Sequence, residues 1–321
     1  MANSSVSFAS PSELENAIAT FIIFIMCMAG TLVYLTFIII VFREPSLNKY
    51  AYYKLAVSLG ISDLFSLILS LLYAFPCTLF RRRLGGITVN GLLGAVLSVG
   101  WYSSFPAICL LAWNRYLALT KPGHHDLFFT PYRTRIYIAL CWLFGLTHGV
   151  VSLFPCCYML YYPSMLTWMY PTEQIGSKIL LLLDVLESSL ACLFAFVCHG
   201  IVFVDIWKKH RSVSCTLKKE AHVAARRSRE MKLFTQFFVI TLWLLLFDIA
   251  FNTLPQISKT YYVGMAIFVM YLFNCSVNAY VYCIMNGSIR KGAKRLVGLP
   301  VEVSTANVKP KHGRKRAETN V

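Results

Sequence analysis

Charge is what this sequence has least of. Only 14% of its 321 residues are Asp, Glu, Lys or Arg, while 57% are apolar; a soluble chain carries about 25% charge. So few charges cannot cover the surface of a water-soluble globule. Acid is the scarcer sign: 14 Asp and Glu stand against 30 Lys and Arg, a formal net charge of +16. In a soluble domain that excess would suggest nucleic acid, but a mean hydropathy of +0.61 argues against a soluble domain. The 11 cysteines show neither disulfide-scaffold density nor paired metal-ligand spacing, and the adjacent Cys156-Cys157 lacks the CxxC geometry of a zinc site. No HExxH, GxSxG, GxxxxGK[ST] or dinucleotide-binding glycine pattern occurs, and the seven histidines form no ligand ladder. Enzymatic function, bound metal and cofactor are therefore not expected. His148 and His199 read as hydrogen-bonded packing residues.

What the chain has instead is seven long apolar runs, each near the roughly 20 residues that cross a bilayer. They cover Ala17–Phe42, Leu55–Phe80, Leu84–Asn114, Ile136 to about Cys157, Ile179 to about Trp207, Leu233–Ile257 and Thr260–Ile289. Transmembrane β-strands would alternate in segments of about ten residues, which these do not. The expected fold is an all-α membrane protein, a bundle of seven helices. Residues 1–16 form a tail before it, 17–289 the bundle, and 290–321 a basic tail beyond it.

The basic residues orient the bundle. With the N-terminus outside, 25 of the 30 Lys and Arg fall on the cytoplasmic side and five outside. The expected topology is therefore N-terminus out and C-terminus in. Arg81-Arg82-Arg83 opposes that trend locally, as either a cap resting on lipid headgroups or an anion-binding patch. The first sixteen residues carry Glu13 and Glu15 rather than a basic n-region, so the first run is expected to be an uncleaved anchor. Asn3-Ser4-Ser5 is a glycosylation sequon on the outer tail.

Several polar residues interrupt the runs. Asn114-Arg115-Tyr116 closes the third at its cytoplasmic end, where an arginine can snorkel to the interface. Asp63 lies in Ser58-Leu59-Gly60-Ile61-Ser62-Asp63-Leu64 of the second. A carboxylate in hydrocarbon costs at least about 2.5 kcal/mol, so it must face the bundle interior and find a partner. In the seventh run, Asn278 is placed to hydrogen-bond towards Asp63 through water. Tyr282, four residues on, shares its helix face.

Together these features resemble a G-protein-coupled receptor, and more specifically the nematode serpentine chemoreceptors of the srx class. The carrying segments are Phe75-Pro76-Cys77-Thr78-Leu79, Asn90-Gly91, Trp113 to Leu119, Cys157 to Tyr162, Leu166-Thr167-Trp168 and Arg229 to Gln236, in an order that extends over residues 20–290. The resemblance implies a plasma-membrane receptor, sited by analogy in sensory neuron cilia, that senses an external small molecule and activates a heterotrimeric G protein. It places G-protein coupling at Asn114, Arg115 and Tyr116, and an activation hinge at Asp63, Asn278 and Tyr282. Departures are visible too. Asn114 stands where an acid is usual, predicting a weak inactive-state lock and raised basal signalling. No cysteine lies near Asn90, so the familiar disulfide to the second outer loop is doubtful. Cys77 with Cys156 or Cys157 is the alternative.

In this fold the fifth and sixth spans are neighbours, so Asp184, Glu187 and Asp248 are expected to converge on one cavity. They would bind a cationic or hydrogen-bond-donating ligand, or else two of them stand as protonated acids bonded to backbone or to each other. On the cytoplasmic side, Lys208 to Lys232 holds nine basic residues. Its second half favours helix and reads as an extension of the sixth span. It can meet anionic lipid, G protein or both. Ile289–Val297 is expected to form a short amphipathic helix on the membrane, and the tail from Pro300 to be disordered. No lysine occurs between Thr260 and Ile289, which excludes a retinal Schiff base there. The alternative function is a proton- or solute-coupled transporter using the buried carboxylates, although such a protein has no reason to place Arg115 and a basic third inner loop as they stand.

Overall fold

The computed structural model of the protein describes residues 11–213, 220–258 and 260–300. Seven helices are long and apolar enough to cross a membrane: Glu13–Arg43, Ala51–Leu79, Gly86–Thr120, Pro131–Val151, Ile175–Lys208, Phe238–Pro255 and Tyr261–Met285, here spans one to seven. At 1.5 Å per residue, even the shortest of them reaches most of the way across a hydrocarbon core of about 30 Å. Helix continues past the apolar windows on both sides of the connection between spans five and six, to Val213 after span five and from Glu220 before span six. That agrees with the expected extension of span six. Asn3, residues 301–321, Lys218 and Lys219, and the side chains of Lys209 to Lys232 lie outside the described residues.

Local chemistry explains where the spans begin and bend. Ser12 and Glu15 form a reciprocal capping box at the start of span one, and Thr260 caps span seven through the Val263 N–H. Pro76 cannot donate the N–H that a regular turn requires. Just before it, Ser70–Ala74 widens into a single π-helical turn, with the Phe75 N–H reaching back to the Ser70 carbonyl. Span three runs on to Thr120, so Arg115 lies inside the helix rather than just past its end. Span four stops at Val151, short of the expected Cys157, and a 3-10 turn at Pro155–Cys157 follows. Asn286 ends span seven and caps the next helix, Gly287–Leu296, which buries Ile289 and turns its basic residues outward, as the amphipathic pattern predicted.

The spans differ in how much of them the bundle encloses. In spans two, three and seven, 67%, 61% and 56% of the apolar window is buried, against 28% or less in the others. Asp63, Asn90 and Asn114 are buried on these central helices, and Asp184 and Asp248 on spans five and six. The outer ones present Leu, Ile and Phe to their surroundings, as lipid-facing helices do. The spans cross in alternating directions, so the bundle has an N-terminal side and an opposite side that carries Arg115. Asn16 Nδ2, near the start of span one, donates to the Thr78 carbonyl near the end of span two at 3.1 Å. Between spans four and five a hairpin, β1 Leu160–Tyr162 and β2 Thr167–Met169, pairs antiparallel with Tyr161 opposite Trp168.

Candidate functional site

The hairpin is seated in the N-terminal side of the bundle, and Asn90 of span three holds it. Asn90 Nδ2 donates to the Tyr161 carbonyl at 3.0 Å, and its Oδ1 accepts the Tyr161 N–H at 2.9 Å. One amide thus satisfies two buried backbone groups, worth about 1 kcal/mol each. The Tyr161 hydroxyl meets Thr78 Oγ1 at 2.6 Å. Close approach of backbone completes the seat. A Cβ added at Gly94 would stand 1.8 Å from the Met159 carbonyl oxygen, and one at Gly264 would stand 1.9 Å from that of Met165.

This tether replaces the bridge expected of the cysteines. Cys77 and Cys157 are free thiols, and no disulfide forms among the described residues. Cys77 Sγ accepts the Leu84 N–H of its own following turn at 3.4 Å, while Cys157 Sγ lies 2.9 Å from that of Cys156. The Cys156 carbonyl is held by Ser177 at the start of span five, so the two segments face different neighbours. Burial, with the Cys156 thiol beside it, pushes the Cys157 thiol up to about 11, which keeps it protonated and unreactive at neutral pH. The arginine run is partly absorbed by the protein itself: Arg81 donates to the Ser12 carbonyl at 3.2 Å, and Arg83 lies over the Tyr162 ring at 4.1 Å.

Below the hairpin lie three small cavities of about 30, 20 and 60 Å³. Each holds a few waters at most, well short of the roughly 300–1,000 Å³ of a typical small-molecule site. Trp101 of span three lines all three and so partitions one space. Its Nε1–H donates to Asp184 Oδ1 at 2.7 Å, and its ring stands 5.7 Å from Tyr271 and 5.4 Å from Phe105.

The three carboxylates do not all converge. Asp184 and Asp248 line the same cavity, and Asp248 accepts from Ser189 at 3.0 Å and from Asn252 at 3.3 Å. Glu187 instead turns to span four, where its Oε1 lies 3.3 Å from His148 Nε2. His148 in turn stacks on Tyr102 with ring centroids 3.8 Å apart. Asp184 and Glu187 are three residues apart on one helix, but a partner on span four outcompetes the cavity for the longer side chain. Of the two expected packing histidines, His199 is hydrogen-bonded, its Nδ1 meeting Thr241 Oγ1 at 2.9 Å, while His148 is held by the Glu187 contact and the Tyr102 stack.

The deepest cavity reaches Asp63, Asn278 and Tyr282, which the structure brings together. Asn278 Nδ2 points at Asp63 Oδ2 directly, at the long distance of 3.5 Å, so the expected bridging water is not needed. The main partner of Asp63 is Tyr34 of span one, whose hydroxyl donates to Oδ2. Gly60 admits that ring: a Cβ there would stand 2.7 Å from Tyr34 Cε1. Tyr282 packs against Phe37 at 5.0 Å and edge-on to Tyr52 at 6.0 Å.

Tyr52 connects this group to Arg115, whose guanidinium carbon lies 3.3 Å from the Tyr52 ring centroid. Asn114 points elsewhere: Nδ2 meets His125 Nε2 at 3.1 Å, and His125 Nδ1 meets Asp126 at 3.1 Å in the short helix Pro122–Phe128. Tyr116 packs beside Val202 and Ile206 of span five. Asn286, where span seven ends, donates to the Tyr53 hydroxyl at 2.7 Å, a further contact of that span with the start of span two.

Trp101, Tyr34 and Tyr52 are not singled out by the sequence, and His148 is read there only as a packing residue. One signal was available: an indole N–H or phenol in an apolar span needs a hydrogen-bond partner, just as a carboxylate does. Matching the two lists would have paired aromatics with acids, though not which with which.

The fold is similar to that in a solved structure titled "Crystal structure of squid rhodopsin", with a TM-score of 0.75 over 91% of this chain and 87% of that chain. At 15% identity, that likeness speaks for the fold alone. The family model described as "Serpentine type 7TM GPCR chemoreceptor Srx" matches residues 24–286, most of the chain and all seven spans in whole or part. The chain belongs to the Srx family of serpentine seven-transmembrane chemoreceptors of the G-protein-coupled class.

Proposed function

We propose that this protein sits in the plasma membrane with its N-terminus outside and senses an external small molecule in the space partitioned by Trp101. It then activates a heterotrimeric G protein through the side that carries Asn114, Arg115 and Tyr116. The family supports the receptor class, and the excess of Lys and Arg on the Arg115 side supports the orientation. One observation carries the mechanism. The cavities run from Asp184 past Trp101 to Asp63, Asn278 and Tyr282, and aromatic contacts continue from Tyr282 through Tyr52 to Arg115.

A ligand acts by favouring one of two packings of the bundle, by no more than its difference in affinity for them. The cavities are too small for most organic molecules, so binding must displace side chains, and Trp101 is the partition that has to move. Its displacement would disturb the walls of the cavity that holds Asp63 and Tyr282. Tyr282 is packed on Tyr52, so the change would reach Arg115 and open the cytoplasmic side for the G protein.

The test is recruitment of an engineered G-protein probe in cultured cells, basally and across a panel of small odorants, with Arg115→Ala at equal surface expression as control. A signal that disappears in the variant supports the reading. Silence from a surface-expressed protein, together with a proton flux that Asp63→Asn abolishes, would replace it with a transporter.

A further inference from the structure

The upper cavities have an unbalanced polar inventory. Asp184 and Asp248 line them, yet no lysine or arginine does. Asp184 is 4% exposed and shares one oxygen with the Trp101 N–H. One other polar group on the walls has no hydrogen-bond partner among the described residues: the Nε1–H of Trp168, which is 7% exposed. An indole N–H can only donate. Left alone in a buried site, it has lost its bond to water with nothing in exchange. Aromatic rings, Trp101, Phe251 and Phe268, share the walls with Leu97, Met159 and Ile267, and an aromatic face attracts a desolvated cation.

We infer that this site takes a small protonated amine that also carries a hydrogen-bond acceptor oxygen. The ammonium pairs with Asp184 and takes that carboxylate from the Trp101 N–H, while the oxygen accepts from Trp168. A carboxylate ligand would face Asp184 and Asp248 with no cation to offset them, and a hydrocarbon would leave the Trp168 N–H unsatisfied. The amine is compact, because the space becomes continuous only when Trp101 swings aside. This inference rests on the proposed receptor function only in supposing that a ligand enters here.

Three probes of matched shape test it by thermal stabilisation of the purified full-length protein, a readout independent of signalling. They are 2-phenoxyethylamine, 3-phenylpropylamine, in which a methylene replaces the ether oxygen, and the neutral 2-phenoxyethanol. The expected result is that 2-phenoxyethylamine binds about tenfold more tightly than either analogue, the ratio one buried hydrogen bond or charge contact supplies. Asp184→Asn should abolish its advantage over the alcohol, and Trp168→Phe its advantage over the methylene analogue. Asp184→Glu, which keeps the charge, should retain the first preference and guards against a variant that merely folds poorly. Tightest binding of the alcohol, no binding of either amine, or preferences that survive both substitutions would overturn the inference. Amine binding without G-protein recruitment would leave this site standing and remove the receptor mechanism. Recruitment by compounds indifferent to Asp184 and Trp168 would do the reverse.

Discussion

The guanidinium of Arg115 lies over the ring of Tyr52, with Cζ 3.3 Å from the centroid. The usual acid beside this arginine is absent, and Asn114 turns to His125 instead. An aromatic face from the start of span two therefore takes the place of a carboxylate. It is a weaker partner than a buried ion pair but needs no second charge to be desolvated. Because Tyr282 packs edge-on to the same ring, Arg115 and the proposed hinge share one side chain.

A desolvated cation–π contact is worth about 2 kcal/mol, which can shift a two-state equilibrium by more than tenfold. Tyr52→Leu should therefore raise basal recruitment of an engineered G protein severalfold at equal surface expression, while Tyr52→Phe, which keeps the ring, should raise it far less. Asn114→Asp should leave basal recruitment unchanged, because position 114 faces His125. A marked fall with that variant would mean that Arg115 is reached after all.

The Asn90 clamp predicts which bond keeps the hairpin in place. Asn90→Ala removes two hydrogen bonds and should cost about 2 kcal/mol, seen as a lower Tm of the purified protein. A reducing agent should leave the wild-type Tm unchanged, since Cys77 and Cys157 are free thiols. A clear drop on reduction would show that a disulfide does the tethering.

Gly94 offers a steric test of the same seat. Even Gly94→Ala places a Cβ 1.8 Å from the Met159 carbonyl oxygen, closer than atoms can pack, so the hairpin must shift and surface expression should fall. Gly200→Ala, where a Cβ meets nothing within 4 Å, should express normally. Equal expression of the two would mean that the hairpin sits higher than described.

The two partners of the span-five acids separate ligand binding from packing. Asp184→Asn should weaken ligand potency at least tenfold, because Asp184 lines the cavities. Glu187→Gln should lower Tm but leave potency intact, because Glu187 pairs with His148 outside them. Matching losses of potency in dose–response curves would restore a three-acid site.

Asp63 is proposed for the hinge rather than the ligand contacts. Tyr34→Phe deletes the hydroxyl that donates to it while leaving the upper cavities untouched. The expected outcome is unchanged probe affinity with an altered ratio of basal to stimulated recruitment. A change in affinity alone would place Tyr34 in the binding site.

The sequence by itself determined the seven spans, the amphipathic last helix and the membrane setting. Hydropathy over some twenty residues is a local property, and no tertiary contact can make such a run soluble. It also singled out Asp63, Arg115, Asn278 and Tyr282, since each is a polar group in hydrocarbon and has to be partnered. Which partner each would find was decided only by the tertiary structure. Glu187 and Asp184 are chemically alike and three residues apart, yet one turned to His148 and the other to Trp101. Asn90 became the tether of the hairpin although nothing near it in the chain says so, and Tyr52 reached Arg115 from some sixty residues away in the sequence. Burial demands that polar groups be satisfied, but rotamer, helix rotation and the close approach permitted at Gly60 and Gly94 choose which groups meet, and those are properties of the packed bundle.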